Sequence, residues 1–260
     1  MFTPIGYFTP QITWTPEDMN GITHWWRSDL GVTLAGSTVT SWVDQIAGKT
    51  LTQEGSSTAP DFLSSDSTMN NQPAIQFGNG GTTTDALTDN ANRISVLATD
   101  YPFMWAVFST EDNVRGGYQI PLGQKSTDGG SGQEFLIEFN HPSYANTIST
   151  YNFNLEGSFA GNTDGNVTSR PNTGWIALGV DNNDANNPGD IWVNGTKTNI
   201  WATGVNNQVN IALSVGNYGP SGNLGYVGRI FEVGFCLEAI SAESQTNFHT
   251  YLNARYGTSL

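Results

Sequence analysis

Short apolar or alternating runs, most of them closed by Gly, Asn or Asp, recur along the chain and leave little room for long helices. They occupy residues 21–29, 39–44, 73–78, 103–108, 134–139, 147–153, 175–180, 190–195, 210–216 and 228–235. Val39-Thr40-Ser41-Trp42-Val43-Asp44 alternates with period two, the pattern of a half-buried strand. Phe103-Met104-Trp105-Ala106-Val107-Phe108 is apolar throughout, as expected of a central strand covered on both faces. Asn194-Gly195 marks a tight primed turn. Many short strands separated by such turns imply an all-β chain, an antiparallel sandwich or barrel. Charged residues make up only 12% of the chain, so Asn, Thr, Ser and Gly must supply the polar surface. That composition suits strands and turns better than exposed helices.

One helix is expected, at about residues 242–256. Ser241 is a suitable N-cap, Glu243 lies in the first turn, and Arg255 and Gly257 provide stop signals. Phe248, Tyr251, Leu252 and Tyr256 would share one buried face. Trp25, Trp26, Trp42, Trp105 and Trp175 fall within strand patterns and are expected in the core. Cys236 lies in an apolar run and is expected to be a buried, inert thiol.

Residues 1–20 read as an arm with a short helical turn, and residues 21–260 as a single domain. Pro4, Pro10 and Pro16 block regular helix in the arm. Thr15-Pro16-Glu17-Asp18 has the form of a capped first turn. Phe2, Tyr7, Phe8 and Trp14 admit two readings: a frayed arm or edge strand, or a docking segment whose aromatics bury against a partner chain.

Acidic residues number 23 against 9 basic ones, a net charge of −14. This balance disfavours nucleic acid, whose phosphates require clustered Lys and Arg, and equally an anionic membrane surface. No segment approaches the run of about 18 apolar residues needed for a helical membrane span. Met1-Phe2-Thr3-Pro4-Ile5-Gly6 lacks the basic and apolar regions of a signal peptide, so synthesis in a cytoplasm is expected.

The order of several segments resembles the concanavalin A-like jelly-roll domains of the laminin-G-like type. The matching segments are Trp26-Arg27-Ser28-Asp29 with Gly31-Val32, Val39-Thr40-Ser41-Trp42-Val43-Asp44, and Asn71-Gln72-Pro73-Ala74-Ile75-Gln76-Phe77. The far end is similar as well. Ile191-Trp192-Val193-Asn194-Gly195 resembles a family hairpin strand. Gly228-Arg229-Ile230-Phe231-Glu232-Val233, Ile240-Ser241-Ala242-Glu243 and Tyr251-Leu252-Asn253-Ala254-Arg255-Tyr256-Gly257 resemble its last strand and closing helix. The resemblance spans roughly residues 20 to 257 and implies a two-sheet antiparallel jelly-roll sandwich, often a glycan- or protein-binding module. Such domains are frequent in secreted carbohydrate-active proteins and in bacteriophage structural proteins. The fold itself does not fix a function.

Catalytic patterns are weak. Glu134 and Glu138 are paired acids in one strand pattern, but four residues along a strand is about 13 Å, too far for a direct pair. Related glucanases carry a Glu-x-Asp-x-x-Glu strand, and Leu136 breaks that pattern here. His24, His141 and His249 have no metal-ligand spacing, and His249 is expected to be exposed on the helix. The Gly-rich stretches at 78–81 and 129–132 lack the Lys-Ser/Thr of a phosphate loop. Asp181, Asn183 and Asp184, in a polar loop at 181–187, are candidate oxygen ligands for Ca²⁺, the one cofactor the sequence suggests. Asx residues also simply form turns.

Sugar binding needs aromatic faces beside amides and carboxylates. Tyr118 next to Gln119, Tyr144 near Asn146, Trp201 near Asn199, and Tyr218 with Asn217 and Asn223 fit that description; packing over sheet ends is the other reading. The leading expectation is a non-enzymatic bacteriophage virion protein: capsid decoration, head fibre or tail-associated. Its partners would be other virion proteins, further copies of itself and a polysaccharide. The alternatives are a secreted, extracellular lectin or carbohydrate-binding module, and a glycoside hydrolase.

Overall fold

The structure, a computed structural model, describes residues 13–53, 58–78, 85–89, 94–96, 103–110, 119–124, 136–139, 148–151, 172–179, 189–201, 209–217 and 225–257. The chain is all-β with one C-terminal helix among the described residues. The first strands are β1 (Ile22–Arg27), β2 (Val32–Ala35), β3 (Thr38–Val43), β4 (Thr50–Gln53), β5 (Asp61–Asp66) and β6 (Gln72–Phe77). There follow β7 (Leu87–Thr88), β8 (Ile94–Val96), β9 (Phe103–Thr110), β10 (Gln119–Gln124), β11 (Leu136–Phe139) and β12 (Ile148–Tyr151). The last are β13 (Thr173–Gly179), β14 (Gly189–Val193), β15 (Thr196–Trp201), β16 (Val209–Ile211), β17 (Leu213–Val215) and β18 (Gly228–Cys236), before α1 (Ala242–Tyr256).

All described pairings are antiparallel. The main sheet runs β12-β11-β10-β17-β7-β4-β3-β5-β6-β18-β9-β13-β14-β15, with β1 beside β18, β2 beside β3, and β16–β8 as a separate pair. The sheet folds over on itself. β11 and β9 stand nine positions apart in that order, about 43 Å if the sheet were flat at about 4.8 Å per strand. Yet the rings of Phe139 and Phe108 lie 4.8 Å apart, centroid to centroid. The two halves therefore face each other across one apolar layer, which draws Leu51, Leu122, Ile137 and Val215 from one side and Phe77, Met104, Ile176 and Val233 from the other.

The central strand β9 shows why its apolar run is uninterrupted. Met104, Ala106 and Phe108 enter this inter-sheet layer, while Phe103, Trp105 and Val107 point to a second core. α1 covers that second core with Phe248, Tyr251, Leu252 and Tyr256, the four residues that the helical spacing puts on one face. The Ser241 hydroxyl caps the helix by accepting from Ser244 N–H at 3.0 Å, and Gly257 ends it at φ 66°. Trp25, Trp26, Trp42, Trp105 and Trp175 are all buried. Asn194 and Gly195 both take positive φ, and so form the primed turn between β14 and β15.

One expectation needs correction. His249 is half-buried rather than exposed: its ring meets Trp175 edge to face at 4.8 Å, because the helix rests on the β13–β14 end of the sheet. Trp14 packs on this chain's own helix, edge to face with Phe248 at 6.5 Å and Tyr251 at 6.3 Å, so its indole is engaged within the molecule. Among the described residues, no helix is long and apolar enough to cross a membrane.

Candidate functional site

The described concave site lies where the segment leading into β1 meets the first turns of α1. The Asp18 carboxylate accepts from Thr15 N–H at 2.9 Å, and Asp18 N–H donates back to the Thr15 carbonyl at 2.9 Å. These bonds close the single 3-10 turn Pro16–Asp18 and present Trp14, Asp18 and Asn20 on one wall. The Cys236 thiol donates to the Asn20 carbonyl at 2.9 Å, tying that wall to the end of β18. The opposite wall is Ser241, Glu243, Ser244 and Asn247 of the helix, and Thr13 completes a cleft of about 460 Å³. Among the described residues its lining offers one tryptophan, two carboxylates, two amides and three hydroxyls, with no Lys, Arg or His. A half-buried tryptophan flanked by carboxylates and amides is a lining on which sugar hydroxyls find oxygen acceptors and NH₂ donors beside an aromatic ring edge.

A second polar cluster lies beneath the helix and serves the fold. The pairing of β18 with β9 slips between Ile230 and Glu232. This bulge sends Phe231 and Glu232 to the same, helix-covered side. There the fully buried Glu232 carboxyl accepts from Tyr256 at 2.7 Å, Tyr251 at 2.8 Å and the Trp105 indole at 3.2 Å. Burial pushes its pKa up, and the hydrogen bonds from Tyr256 and Tyr251 oppose that. At the helix end, Asp29 bridges Arg27 at 2.6 Å and Arg255 at 2.8 Å. Burial opposes ionisation of Asp29, but the two guanidiniums outweigh it and hold the carboxyl below its ordinary value.

The expected ligand residues are not brought together among the described residues. Asn217 is fully buried, and its backbone carbonyl accepts from the Ser214 hydroxyl; it is a packed sheet-end residue, not a surface amide. Trp201 ends β15, its backbone paired with Gly189. Tyr118, Tyr144, Tyr218 and Asn223 lie outside the described residues, as do Phe2, Tyr7, Phe8 and the candidate calcium ligands Asp181, Asn183 and Asp184. Of the acid pair, Glu138 lies in β11 opposite Ser149, and Glu134 is outside the described residues. Among the described residues no cluster of three or more His, Cys, Asp or Glu could hold a metal ion. Asn20, Glu243 and Asn247 were missed as site residues, since they converge only once the helix docks; Trp14 just before a capped turn was the available signal.

No protein-family model and no curated protein sequence matches the chain. Solved structures are similar in fold. An arabinofuranosidase complexed with arabinofuranosyl-alpha-1,2-xylobiose aligns at TM-score 0.57 and 15% identity over 84% of this chain and 51% of its own. Domain 4 of an extracellular arabinanase from Geobacillus stearothermophilus, in complex with arabinotriose, aligns at TM-score 0.52 and 13% identity over 89% of this chain and 100% of its own. Trypanosoma rangeli sialidase, in complex with a difluoro-KDN, aligns at TM-score 0.50 and 12% identity over 90% of this chain and 32% of its own. The chain thus spans about half of the arabinofuranosidase and a third of the sialidase. At these identities the likeness is one of fold: this chain is similar to β-rich domains of carbohydrate-active proteins.

Proposed function

We propose that this chain is a non-catalytic carbohydrate-binding domain and that the cleft between Trp14 and Asn247 takes the sugar. The carrying observation is the lining itself, an indole set among carboxylates, amides and hydroxyls in one concavity. The full-length match to an arabinanase domain crystallised with arabinotriose supports the reading, because that unit is a separate domain of its enzyme. A binding role fits the cleft carboxylates better than acid–base work, since Asp18 already spends an oxygen on Thr15 N–H to hold the turn. We place the domain on a bacteriophage particle, as capsid decoration, head fibre or tail-associated protein. That setting rests on the low-charge, Asn- and Thr-rich sequence and on the aromatics Phe2, Tyr7 and Phe8.

Calorimetric titration with arabinotriose, xylotriose, galactotriose and mannotriose tests the binding role. At least one should bind with a Kd below millimolar. Trp14→Ala and Asn247→Ala should each weaken it, the Trp change by about tenfold or more, and no new reducing ends should appear on incubation. Silence across all four sugars would overturn the reading, and release of reducing ends would overturn its non-catalytic part.

A further inference from the structure

We infer that the cleft discriminates by charge: it admits uncharged saccharides and excludes uronic and sialic acids. The inference rests on the sugar-binding reading and adds the class of sugar. Asp18 stands on one wall and Glu243 on the other, with no cation among the described lining residues to neutralise either. A helix N-terminus ordinarily attracts anions, through its unpaired N–H groups and its dipole. Here part of that attraction is taken up. The Ser241 hydroxyl takes up Ser244 N–H at 3.0 Å, Gln245 N–H donates to the Ser241 carbonyl at 2.8 Å, and Glu243 places a carboxylate in the same turn. A sugar carboxylate bound beside the indole would therefore meet two like charges and no counter-charge. Such juxtaposition is a strong device for rejecting a ligand of otherwise fitting shape. Neutral hydroxyls, by contrast, donate well to both carboxylates.

The whole chain is acidic, at −14, so a general repulsion must be separated from a local one. At about 0.15 M salt, charges more than roughly 8 Å away are largely screened, whereas those lining the cleft are not. The experiment compares pairs that differ only in oxidation at C6, galactotriose with trigalacturonate and mannotriose with trimannuronate, at that ionic strength. The neutral member of a pair should bind at least about tenfold more tightly than its acid. Glu243→Gln, at an exposed helix position, should narrow the gap several-fold, strengthening the acid by removing a like charge and weakening the neutral sugar, which loses a charged acceptor. Asp18→Asn with Glu243→Gln should narrow it further. Equal or tighter binding of an acid by the wild type would overturn the inference and leave the sugar-binding reading standing. A gap that neither variant changes would also overturn it, since the repulsion would then come from outside the cleft. Failure of every neutral sugar would remove the reading itself.

Discussion

The Tyr251 hydroxyl donates a 2.8 Å hydrogen bond to the Glu232 carboxyl, joining the C-terminal helix to β18, a strand with three neighbours in the sheet. Tyr256 adds a second at 2.7 Å, one helical turn further on. Val233 and Phe235 point to the other face, so alternation along β18 points Glu232 to the helix, and the bulge keeps Phe231 on the same side. Without the extra residue Phe231 would turn away from the helix and Ile230 toward it. A buried acid thus fixes where the helix sits, and the helix in turn forms one wall of the cleft.

Removing one donor should be costly. Tyr256→Phe leaves the Glu232 oxygen buried with one partner fewer, and a loss of about 1–3 kcal/mol in urea unfolding is expected. The pH dependence has a definite sign. The folded-state pKa of Glu232 is raised above the ordinary 4.5, so its contribution is full below that value and declines as pH rises through the folded pKa. The stability of the wild type relative to Glu232→Gln should therefore fall as pH increases from 4.5. A flat or rising difference would show that the carboxyl is not held against ionisation.

Gly234→Ala tests the packing next to this anchor. A Cβ at Gly234 would stand 2.0 Å from Cζ2 of Trp105, whose ring is itself fully buried. Overpacking of this kind costs about 1–3 kcal/mol. A variant as stable as the wild type in denaturant titration would mean that the Trp105 ring shifts freely.

Much of this framework was readable in the chain. Period-two alternation and the all-apolar run 103–108 located β3 and β9, and 3.6-residue spacing with Ser241 and Gly257 located α1. The strands without such a signal were less legible. β5 reads Asp61-Phe62-Leu63-Ser64-Ser65-Asp66 and β2 exposes Thr33, Leu34 and Ala35, so neither carries one buried face in its sequence. They are strands because β3 and β6 offer them backbone partners. Glu232 was hidden by its apolar neighbours, since only the docked helix shows that two tyrosines meet it. The cleft was hidden for a different reason: its walls lie more than 200 residues apart in sequence, and loop aromatics elsewhere offered the same composition.

Cys236 should be silent in the native state. Burial pushes its thiol up to about 12, and the thiol donates to the Asn20 carbonyl. The thiolate is the reactive form, so labelling by a disulfide reagent at pH 8 should proceed only as fast as the protein opens, and should be rapid in denaturant. Fast labelling without denaturant would contradict this packing of the cleft wall.

His24 provides an acid-sensitive element with the opposite sign to Glu232. Its ring is buried, stacks on Trp26 at 5.4 Å, and keeps a buried Nε2 with no hydrogen-bond partner. Burial dominates and lowers its pKa from 6.5 to about 4; Asp44 opposes the shift and Lys49 reinforces it. The unfolded chain therefore binds a proton near 6.5 that the folded chain refuses until about 4. Stability attributable to this residue is complete above 6.5 and is lost as pH falls through that interval, by about 3 kcal/mol in all. His24→Gln has no proton to take up in this range. In urea titrations at pH 7, 5 and 4, the wild type should lose stability relative to His24→Gln at each step down. Parallel pH profiles for the two proteins would mean that the histidine is charged in the fold or exchanges freely with solvent.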